Sequence, residues 1–574
     1  MNYSSGWTHR FHRWLINAEN FEREWRKRNE RNFAFYDGDQ WSEEEKYALE
    51  RRGQQPTQLN MIRPTVDLLL SIESEKRADI QVLGRNADDM EVGDILTSLL
   101  KQVRDQSNAD FYESKAFREA IIGGRGWLYA DIGDKKSLGN GDSENGQIYI
   151  RYVPWEEVLI DPYHRLPDGT DARFIIRKQW VDRDVLKKKY PKKADDITLA
   201  FNDDYHGVEY HAQIDSPDRA VYDYYDVLSG RVMICHCWYK DAKGKVRYVL
   251  FSQDIFLEGD AEDDSKNETP AEVDCYPLVP FTAFTRQNGV PQGLVEHIID
   301  YQVQINKLNS KYLWDLSCNR LIIESDALET SINDIEDAAL EWSRPNGVIV
   351  ARSGGLNKIR SEENLNELQY LDSHLQMLLG LMQRTSGVND SMMGLSSTNE
   401  RSATQQSNRI LQGSSMQTQL LENMHFAKLA INKVILQLIA KHYTKGFAVR
   451  ILQPNQTYKF EGLNQDVVNE YGEVITRLRD IKDILRFDVI LTRVSPFSSL
   501  RERQLAMFTE AAKSGVFPPE IVGRVMLNFM DIPHKQDIIA QMDSLYQQQA
   551  QLANAQKLAE LDATVAGMQG GEMM

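Results

Sequence analysis

Apolar residues recur at steps of three and four along three long stretches of the second half of the chain. This spacing places them on one face of an α-helix, so each stretch is predicted to be an amphipathic helix that packs on another element. At 1.5 Å per residue, the first helix, 293–317, would be about 37 Å long. The three stripes are Leu294, Ile298, Tyr301, Ile305, Leu308, Tyr312 and Leu316; Leu365, Leu368, Leu371, Leu375, Leu378 and Met382; and Leu420, Met424, Ala427, Ile431, Val434 and Leu438.

The start of the chain predicts four further helices, at 7–33, 42–52, 63–76 and 88–108. Ser42 precedes the second of them and Glu45 follows three residues later, which is the capping-box pattern of a helix start. Seven Arg or Lys residues lie between Arg10 and Arg31 among tryptophans, a mixture that nucleic-acid-binding proteins also use. Glutamates at helical spacing between these cations favour a solvated amphipathic helix instead.

The central part of the chain, from Trp127 to Phe284, changes to short runs rich in Val, Ile, Tyr and Phe, which predict β-strands. The runs are 127–132, 147–153, 174–180, 232–239 and 246–251. Asp241-Ala242-Lys243-Gly244 predicts a hairpin turn between the last two. Two polar stretches, 134–146 and 259–272, are predicted to be mobile; the second, called the acidic loop below, holds six acids against the single Lys266.

Beyond residue 443 the pattern predicts a pair of β-strands, 447–452 and 487–494. Three helices, 500–513, 518–530 and 534–565, are predicted to follow, the second of them with prolines at its start. The fold class is therefore mixed α+β and mainly α-helical, and no internal repeat of 20–50 residues is evident.

Composition and charge then exclude several classes of protein. The chain has 574 residues, 41% of them hydrophobic and 26% charged, which is a globular composition. Its net charge of −18 argues against a protein that grips nucleic acid tightly through phosphates. No apolar run approaches the ~18 residues that span a bilayer, and residues 1–13 lack the apolar stretch of a signal peptide. Four cysteines do not make a disulfide framework, so a reducing cytoplasm is expected.

Candidates for catalysis or metal binding are few. The sequence contains no GxxxxGK(S/T) phosphate loop, HExxH zinc helix or GxSxG nucleophile elbow. The run Cys235-His236-Cys237 lacks the second ligand pair of a zinc site, which favours buried thiols. A nuclease-like metal cluster could be built from Asp161, His164, Asp168 and Asp171. Their surroundings, rich in Pro and Gly, favour turn-forming aspartates, and no catalytic residue, metal or cofactor is expected.

The glycine-rich run Gly123-Gly124-Arg125-Gly126 is the remaining candidate for ligand binding. A phosphate cradle follows a strand and precedes a helix. Here an apolar helix comes first and the strand second, so the run is interpreted as a helix stop.

An unusual polar segment lies between the second and third long helices. Residues 386–394 predict a loop that contains Met392 and Met393 between glycines. Sixteen of the twenty-four residues in 396–419 are Ser, Thr, Asn or Gln, and only Glu400, Arg401 and Arg409 are charged. Solvent-facing helices normally carry many Glu and Lys residues, so this composition favours a wetted surface without electrostatic adhesion. A disordered linker is the alternative.

Four groups of residues between 35 and 310 occur in an order typical of one protein family. They are Phe35-Tyr36-Asp37-Gly38-Asp39-Gln40-Trp41 with Asn60-Met61-Ile62-Arg63-Pro64; Gly123-Gly124-Arg125-Gly126-Trp127; Val153-Pro154-Trp155, Asp161-Pro162, Asp168, Asp171-Ala172-Arg173 and Gln179-Trp180-Val181-Asp182; and Gly293-Leu294-Val295 with Gln302, Asn306, Lys307 and Ser310. With these residues the chain resembles bacteriophage portal proteins, the head-to-tail connectors, of the short-tailed-phage type.

The resemblance implies a portal fold with a wing, long stem helices, a small α/β clip and a helical crown, in a ring of twelve subunits around a DNA channel. The implied parts are the wing at 1–220 and 320–385, a clip-like β-rich region at 221–290, a stem helix at 291–319, a tunnel loop at 386–401, a long channel helix with a wing β region at 402–495, and a helical crown with a flexible C-terminal tail at 496–574.

The function implied by the resemblance is a non-enzymatic channel at one capsid vertex, through which the viral genome is packaged and later ejected. The implied partners are double-stranded DNA, the terminase large subunit, major capsid and scaffolding proteins and head-tail adaptor proteins, with no membrane. The location is the virion, and the host cytoplasm during assembly. A metal-dependent nuclease, and another phage tail or adaptor protein, remain as alternatives.

The resemblance also implies two sets of site residues. The tunnel loop and channel set consists of Asn389, Asp390, Ser391, Met392, Met393, Asn399 and Arg401. Arg401 would be an occasional phosphate contact. The clip docking set consists of Asp260, Glu262, Asp263 and Asp264 of the acidic loop.

Overall fold

Two hydrophobic cores, each organised around a β-sheet, hold the chain together in a computed structural model. The structure describes residues 10–75, 79–84, 90–133, 147–200, 224–226, 228–253, 255–317, 320–324, 326–328, 335–342, 346–362, 365–388, 418–443, 447–452, 458–463, 465–468, 474–478 and 487–492.

The described residues form eleven α-helices, and every helix predicted before residue 443 is present within a few residues of its expected bounds. They are α1 Arg10–Asp37, α2 Glu43–Glu50, α3 Ile62–Glu75, α4 Met90–Gln106, α5 Ala109–Gly123, α6 Arg183–Lys189, α7 Ala194–Ala200, α8 Leu294–Ser317, α9 Ile335–Trp342, α10 Leu365–Ser386 and α11 Thr418–His442. The capping box before α2 is confirmed, since the Glu45 amide donates to Ser42 Oγ (3.2 Å) and the Ser42 amide to Glu45 Oε2 (3.3 Å). No helix in these ranges is long and apolar enough to cross a bilayer.

The strands include all five runs predicted in the central part of the chain, and all of their pairings are antiparallel. They are β1 Asp79–Gly84, β2 Arg125–Ile132, β3 Ile148–Val153, β4 Val158–Ile160, β5 Phe174–Asp182, β6 Tyr225–Asp226, β7 Arg231–Lys240, β8 Val246–Ser252, β9 Ile255–Glu258, β10 Leu278–Thr282, β11 Phe284–Thr285, β12 Pro291–Gln292, β13 Arg320–Ile323, β14 Ile359–Glu362, β15 Phe447–Leu452, β16 Tyr458–Leu463, β17 Gln465–Val468, β18 Val474–Leu478 and β19 Phe487–Thr492.

The first core lies between the sheet β10-β2-β3 and the helices α3, α4, α5, α8 and α11. The apolar seam predicted for α11 is confirmed, because all six of its residues from Leu420 to Leu438 are buried. In α8 the stripe is buried at Leu294, Ile298 and Ile305, whereas Leu316 at the far end is 51% exposed. The inner part of α8 therefore belongs to the core of one subunit, and its outer end does not.

The second core lies between the sheet β4-β5-β7-β8-β9, with β6 paired to β7, and helix α1. Phe11 of α1 packs on Tyr239 and Phe251, with ring centroids 5.1 and 6.1 Å apart, and Trp14 stacks on Phe174 at 5.0 Å. These aromatic contacts fix α1 across one face of the sheet. The cation-rich first helix is thus an amphipathic core helix. The solvated face that its glutamates predicted is present at Glu24 and Glu30, whereas Glu22 is buried.

The pairing predicted beyond residue 443 is wrong in its partners, although both strands exist. Strand β15 pairs with β16, and β19 pairs with β1, which lies some 400 residues earlier in the chain. A local hydrophobic pattern shows that a segment is extended but carries no information on a partner so distant in sequence. The helices predicted at 500–513, 518–530 and 534–565 lie outside the described residues, as does the stretch 134–146 that was predicted to be mobile.

A buried charge cluster, Glu73, Arg104, Glu113 and Lys428, joins α11 to α3, α4 and α5. Lys428 Nζ lies 2.9 Å from Glu73 Oε1 and 3.3 Å from Glu113 Oε2, and Arg104 Nη1 lies 2.5 Å from Glu113 Oε1. Burial by itself would raise the pKa of Glu113, but Arg104 and Lys428 outweigh it, so the pKa lies below its ordinary value. Both carboxylates of the cluster are therefore compensated, and α11 is held by charge as well as by its apolar seam.

Removing the cation of α11 is predicted to destabilise the fold strongly. Lys428→Ala removes the buried cation beside Glu73 and one of the two cations of Glu113, a loss of about 3–5 kcal/mol for a broken buried pair. Lys433→Ala, an exposed site on the same helix, is the matched control and should change stability by about 0.5 kcal/mol or less. Urea unfolding followed by circular dichroism compares the two, and equal midpoints would contradict the assigned role of the cluster.

A second buried carboxyl, Glu119 of α5, faces β3 with a hydroxyl as its partner. Tyr152 Oη donates a hydrogen bond to Glu119 Oε1. Burial is the largest cause that raises the pKa of Glu119 to about 8, and the nearby Glu156 adds to it. Glu119 is therefore protonated in the folded chain at neutral pH and ionised in the unfolded chain.

This raised pKa predicts a pH-dependent stability. The folded state binds one proton more than the unfolded state between the ordinary pKa of 4.5 and the folded value of about 8, so stability falls as pH rises through that window and levels off above it. Glu119→Gln should remove a slope of about 1.4 kcal/mol per pH unit. Thermal unfolding of both proteins from acid to alkaline pH measures it, with exposed Glu44→Gln as control; parallel curves for wild type and Glu119→Gln would disprove the assignment.

Candidate channel and docking surfaces

Three glycines allow close contacts where α1, α5, β2 and the start of α8 meet, two of them against backbone and one against a side chain of α1. A Cβ at Gly126 would overlap the carbonyl oxygen of Ala116, and a Cβ at Gly293 would overlap that of Ile122. A Cβ at Gly123 would overlap the side chain of Asn29. We call Gly123, Gly124, Gly126 and Gly293 the glycine junction.

Gly124, the fourth member of the junction, reverses the chain after α5. It adopts φ +100°, and its amide donates to the carbonyl of Ala120 at 2.8 Å. This geometry is the left-handed C-cap that glycine adopts without steric cost. The interpretation of the run as a helix stop is confirmed, and the close approach of backbones is an additional reason for its glycines.

Arg125, between these glycines, is buried with its charge compensated. Its Nη1 lies 2.7 Å from Glu22 Oε1 of α1, and Arg26 lies 3.0 Å from the other oxygen of that carboxylate. The indole of Trp25 donates to the carbonyl of Gly123 at 2.8 Å and lies 5.5 Å from the Arg125 guanidinium. Helix α1 is therefore attached to the glycine junction by an ion pair, a hydrogen bond and a cation–π contact together.

The middle of α8 is bonded to segment 55–61 through three polar side chains one or two turns apart. We call Gln302, Asn306 and Ser310 the polar ladder; all three are buried. The bonds run from Met61 N to Gln302 Oε1 (3.0 Å), from Gln302 Nε2 to Leu59 O (2.7 Å), from Leu59 N to Asn306 Oδ1 (3.1 Å), from Asn306 Nδ2 to Gln40 Oε1 (2.6 Å) and from Ser310 Oγ to Gln55 O (2.6 Å). Residues that carried the family resemblance therefore position α8.

The glycine junction predicts a severe effect of a single methyl group. Gly126→Ala forces a Cβ into the Ala116 carbonyl and should destabilise by about 2–4 kcal/mol, since backbone cannot move aside as a side chain can. Gly380→Ala within α10 is the matched control, because nothing lies within 4 Å of its Cβ and Ala favours a helix by about 1 kcal/mol. Thermal unfolding should shift in opposite directions for the two variants; a shift in the same direction would refute the packing argument.

The aspartates considered as a metal cluster form turns instead. Asp161 accepts from the amides of Tyr163 (3.1 Å) and Arg173 (3.0 Å), and Asp171 accepts from that of Arg165 (2.6 Å). Asp168 accepts from the amide and hydroxyl of Thr170. The turn interpretation is confirmed. Within the described ranges no three His, Cys, Asp or Glu side chains are grouped closely enough to hold a metal ion.

The Cys235-His236-Cys237 run lies on β7 and serves packing. Both thiols are fully buried, and burial raises the pKa of Cys235 to about 12. His236 Nδ1 lies 2.8 Å from Tyr248 Oη, and burial lowers the pKa of the imidazole to about 3, so it is neutral. Alternation along the strand places the two cysteines on the face of Phe11 and the histidine on the other.

The acidic loop, predicted to be mobile, has a defined conformation in the structure. The side chain of Asn267 is fully buried; its Nδ2 donates to Tyr239 Oη (2.8 Å) and its Oδ1 accepts from the amide of Asp260 (2.7 Å). Arg10 of α1 forms an ion pair with Asp264, and Tyr239 Oη donates to the same carboxylate at 2.5 Å. A count of charges identifies solvated residues but misses one buried asparagine that holds a loop together, which is why the prediction failed.

The four predicted docking acids have different surroundings. Asp264 is tied to α1, and Asp260 and Asp263 lie 3.1 and 3.5 Å from Lys266. Glu262 is exposed. The loop thus presents carboxylates to solvent from a fixed base. The predicted channel residues lie outside the described residues; they are Asn389, Asp390, Ser391, Met392, Met393, Asn399 and Arg401. The part of the chain described before this gap ends at Val388, and the preceding residue, Gly387, has φ +70°.

Exposed apolar side chains are concentrated in the elements from the end of α8 to α10. Among the described residues between 313 and 377, ten large hydrophobic side chains are exposed in one subunit, and together we call them the exposed apolar surface: Leu313, Leu316, Ile322, Leu340, Trp342, Val348, Val350, Leu356, Tyr370 and Met377. Single exposed apolar residues are ordinary, whereas a concentration of them marks a surface that another protein covers.

Comparison with known proteins gives the family. The model of the phage P22-like portal protein family matches residues 12–273 and 243–574. The chain belongs to this family. It is also 21% identical over 545 residues to the portal protein of Helicobacter pylori bacteriophage KHP30, with 91% of this chain and 82% of that protein aligned. The resemblance inferred from the four residue groups is confirmed, and the mixed, mainly helical fold agrees with a portal fold.

Membership of the portal family makes this chain a phage structural protein that assembles as an oligomer at a capsid vertex of the virion. The exposed apolar surface of the isolated subunit agrees with such an assembly.

Sequence reasoning missed the buried charge cluster and the reason for the polar ladder. One signal for the cluster is readable in the sequence, because Lys428 follows Ala427 directly beside the apolar seam of α11. A cation at that place predicts a buried carboxylate partner. Nothing local indicates that the partners are Glu73 and Glu113, which come from helices more than 300 residues earlier.

Proposed function

We propose that twelve copies of the chain close into a ring around a channel for double-stranded DNA, which is packaged and later ejected through it. The family match over nearly the whole chain carries this proposal. The exposed apolar surface supports it, because neighbours in a ring would cover side chains that one subunit leaves in water. The alternative of a tail or adaptor protein lacks such support from the comparisons.

The channel wall in this proposal lets DNA slide. Asn389, Asp390, Ser391, Met392, Met393 and Asn399 would face the duplex, with Arg401 as an occasional phosphate contact. A ring multiplies the net charge of −18 per chain, so its field repels phosphates over about a Debye length, about 8 Å at physiological salt. The scarcity of charge in 396–419 would then leave a wetted constriction that does not bind the duplex.

The partners in this proposal dock at the two ends of the ring. Asp260, Glu262, Asp263 and Asp264 would belong to the docking surface for the terminase large subunit and later for head-tail adaptor proteins. Major capsid and scaffolding proteins would contact the ring while it assembles in the host cytoplasm. ATP hydrolysis would belong to the terminase, and the chain itself would act without catalysis.

The ring and its channel segment can be tested together by electron microscopy. The purified full-length chain is expected to form closed rings with a central hole. A variant lacking 389–401 should form rings of the same outer diameter with a wider hole, because the segment that narrows the channel is gone.

Two outcomes would contradict the proposal separately. Open filaments or single subunits at every concentration and salt would refute the ring. Rings whose hole is unchanged in the deletion variant would keep the ring but remove 389–401 from the channel wall. Circular dichroism of the deletion variant controls for folding.

A further inference from the structure

Two oppositely charged surfaces lie on one folded unit of the chain. Five lysines occur within 187–193, a stretch that we call the lysine segment: Lys187, Lys188, Lys189, Lys192 and Lys193. The acidic loop carries six acids and one lysine. A positive patch is unexpected on a chain with net charge −18, so its position relative to the acidic loop matters.

The acidic loop is on the face of the second sheet that α1 covers. Tyr239 of β7 packs on Phe11 at 5.1 Å, and its hydroxyl bonds Asp264 and Asn267 of the loop. Residues two apart in a strand share a face, so Cys235 and Cys237 also point to this side.

The lysine segment is on the opposite face. His236 and Trp238 alternate with Tyr239 and point away from α1, and Trp238 contacts Tyr129 of β2 at 6.0 Å. Leu250 pairs with His236 and also with Glu258 of β9, so Glu258 shares that face. Tyr190, in the middle of the lysine segment, donates a hydrogen bond to Glu258. The sheet therefore separates the positive surface from the negative one.

Both surfaces are only partly neutralised within the subunit. Lys193 lies 3.6 Å from Asp196, and four acids of the loop are paired: Asp260 and Asp263 with Lys266, Asp264 with Arg10, and Glu272 with Lys441. Among the described residues, no ion pair is formed by Lys188, Lys189, Lys192, Glu262 or Glu268, and all five side chains are exposed. Each surface is also held in place by a contact within the subunit. The lysine segment is held by the hydrogen bond of Tyr190 to Glu258, and the acidic loop by Arg10 and Asn267.

We propose that the lysine segment of one copy docks on the acidic loop of the next copy. A nucleic acid would neutralise the lysines and leave the acids exposed, and a basic partner would do the reverse. A second copy of this chain neutralises both. A head-to-tail contact requires two different complementary surfaces on each subunit, and such contacts close into rings. The two faces of this sheet carry such a pair. This inference rests on the proposed ring and adds the surfaces that meet in it. It replaces the docking role proposed above for the acidic loop, because a loop covered by the neighbouring copy is not free to bind the terminase.

Charge reversal tests the contact in the full-length chain. Lys188→Glu with Lys189→Glu lowers the charge of the lysine segment from +5 to +1, and Glu262→Lys with Glu268→Lys changes that of the acidic loop from −5 to −1. Each double variant should need about tenfold more protein than wild type to assemble at low salt, because two exposed charge pairs become repulsive. Sedimentation velocity and electron microscopy measure ring formation.

Mixing the two double variants is the decisive measurement. In an equimolar mixture each surface meets a neighbour of opposite charge, so rings should form at close to the wild-type concentration although each variant alone needs about tenfold more protein. A quadruple variant carrying all four substitutions should recover in the same way. Lys27→Glu with Lys101→Glu, at exposed sites elsewhere, alters net charge equally and should leave assembly unchanged.

The outcomes separate this contact from the ring itself. If wild type forms no ring, the proposed function and this inference both fail. If wild type forms rings and the mixture gives no recovery, or only one surface matters, or the control variant disrupts rings as strongly, the contact is refuted while the ring stands. The neutral pairs Lys188→Ala with Lys189→Ala and Glu262→Gln with Glu268→Gln repeat the test with smaller effects should a reversed variant fail to fold.

Discussion

The arrangement of this subunit depends on backbone segments that touch at the glycine junction. Side chains normally keep helices 8–10 Å apart, and four glycines remove that spacing where α1, α5, β2 and α8 converge. Because α8 begins at this point, its direction is set by contacts between main-chain atoms that have no rotamers to adjust. The direction of α8 is therefore set by closely packed backbone, and the two cores are joined at the same place.

Around this junction, buried polar and charged groups join elements whose relative position apolar packing alone would not fix. The Glu22–Arg125 pair, the cluster at Lys428 and the polar ladder each join elements that lie far apart in sequence. Apolar faces tolerate sliding, whereas an unpaired buried charge or amide is costly, so each network permits one register. The stability of such networks is modest compared with apolar burial, and their main effect is that helices meet in one arrangement.

Local signals in the sequence predicted many of the helices and strands of this fold. They could not predict contacts between residues that are far apart in sequence. Apolar periodicity located the long helices, and Ser42 with Glu45 located a helix start, because these patterns repeat within a few residues. The partner of β19, the carboxylates around Lys428 and the anchoring of the acidic loop by Asn267 all depend on residues brought together by folding. Of the candidate sites, only the acidic loop lies within the described residues. The residues predicted to line the channel came from the family resemblance, because composition alone indicated either a wetted surface or a linker.

The polar ladder also has a mechanical consequence. Its hydrogen bonds are spaced over two turns of α8, and segment 55–61 runs alongside the helix in the opposite direction, since Met61 meets Gln302 and Gln55 meets Ser310. A force directed along the axis, such as pressure from a packed genome, would load all of these bonds at once in shear. A force pulling the helix sideways would load them one after another, as in peeling. The polar ladder therefore resists displacement of α8 along its own axis more strongly than displacement sideways.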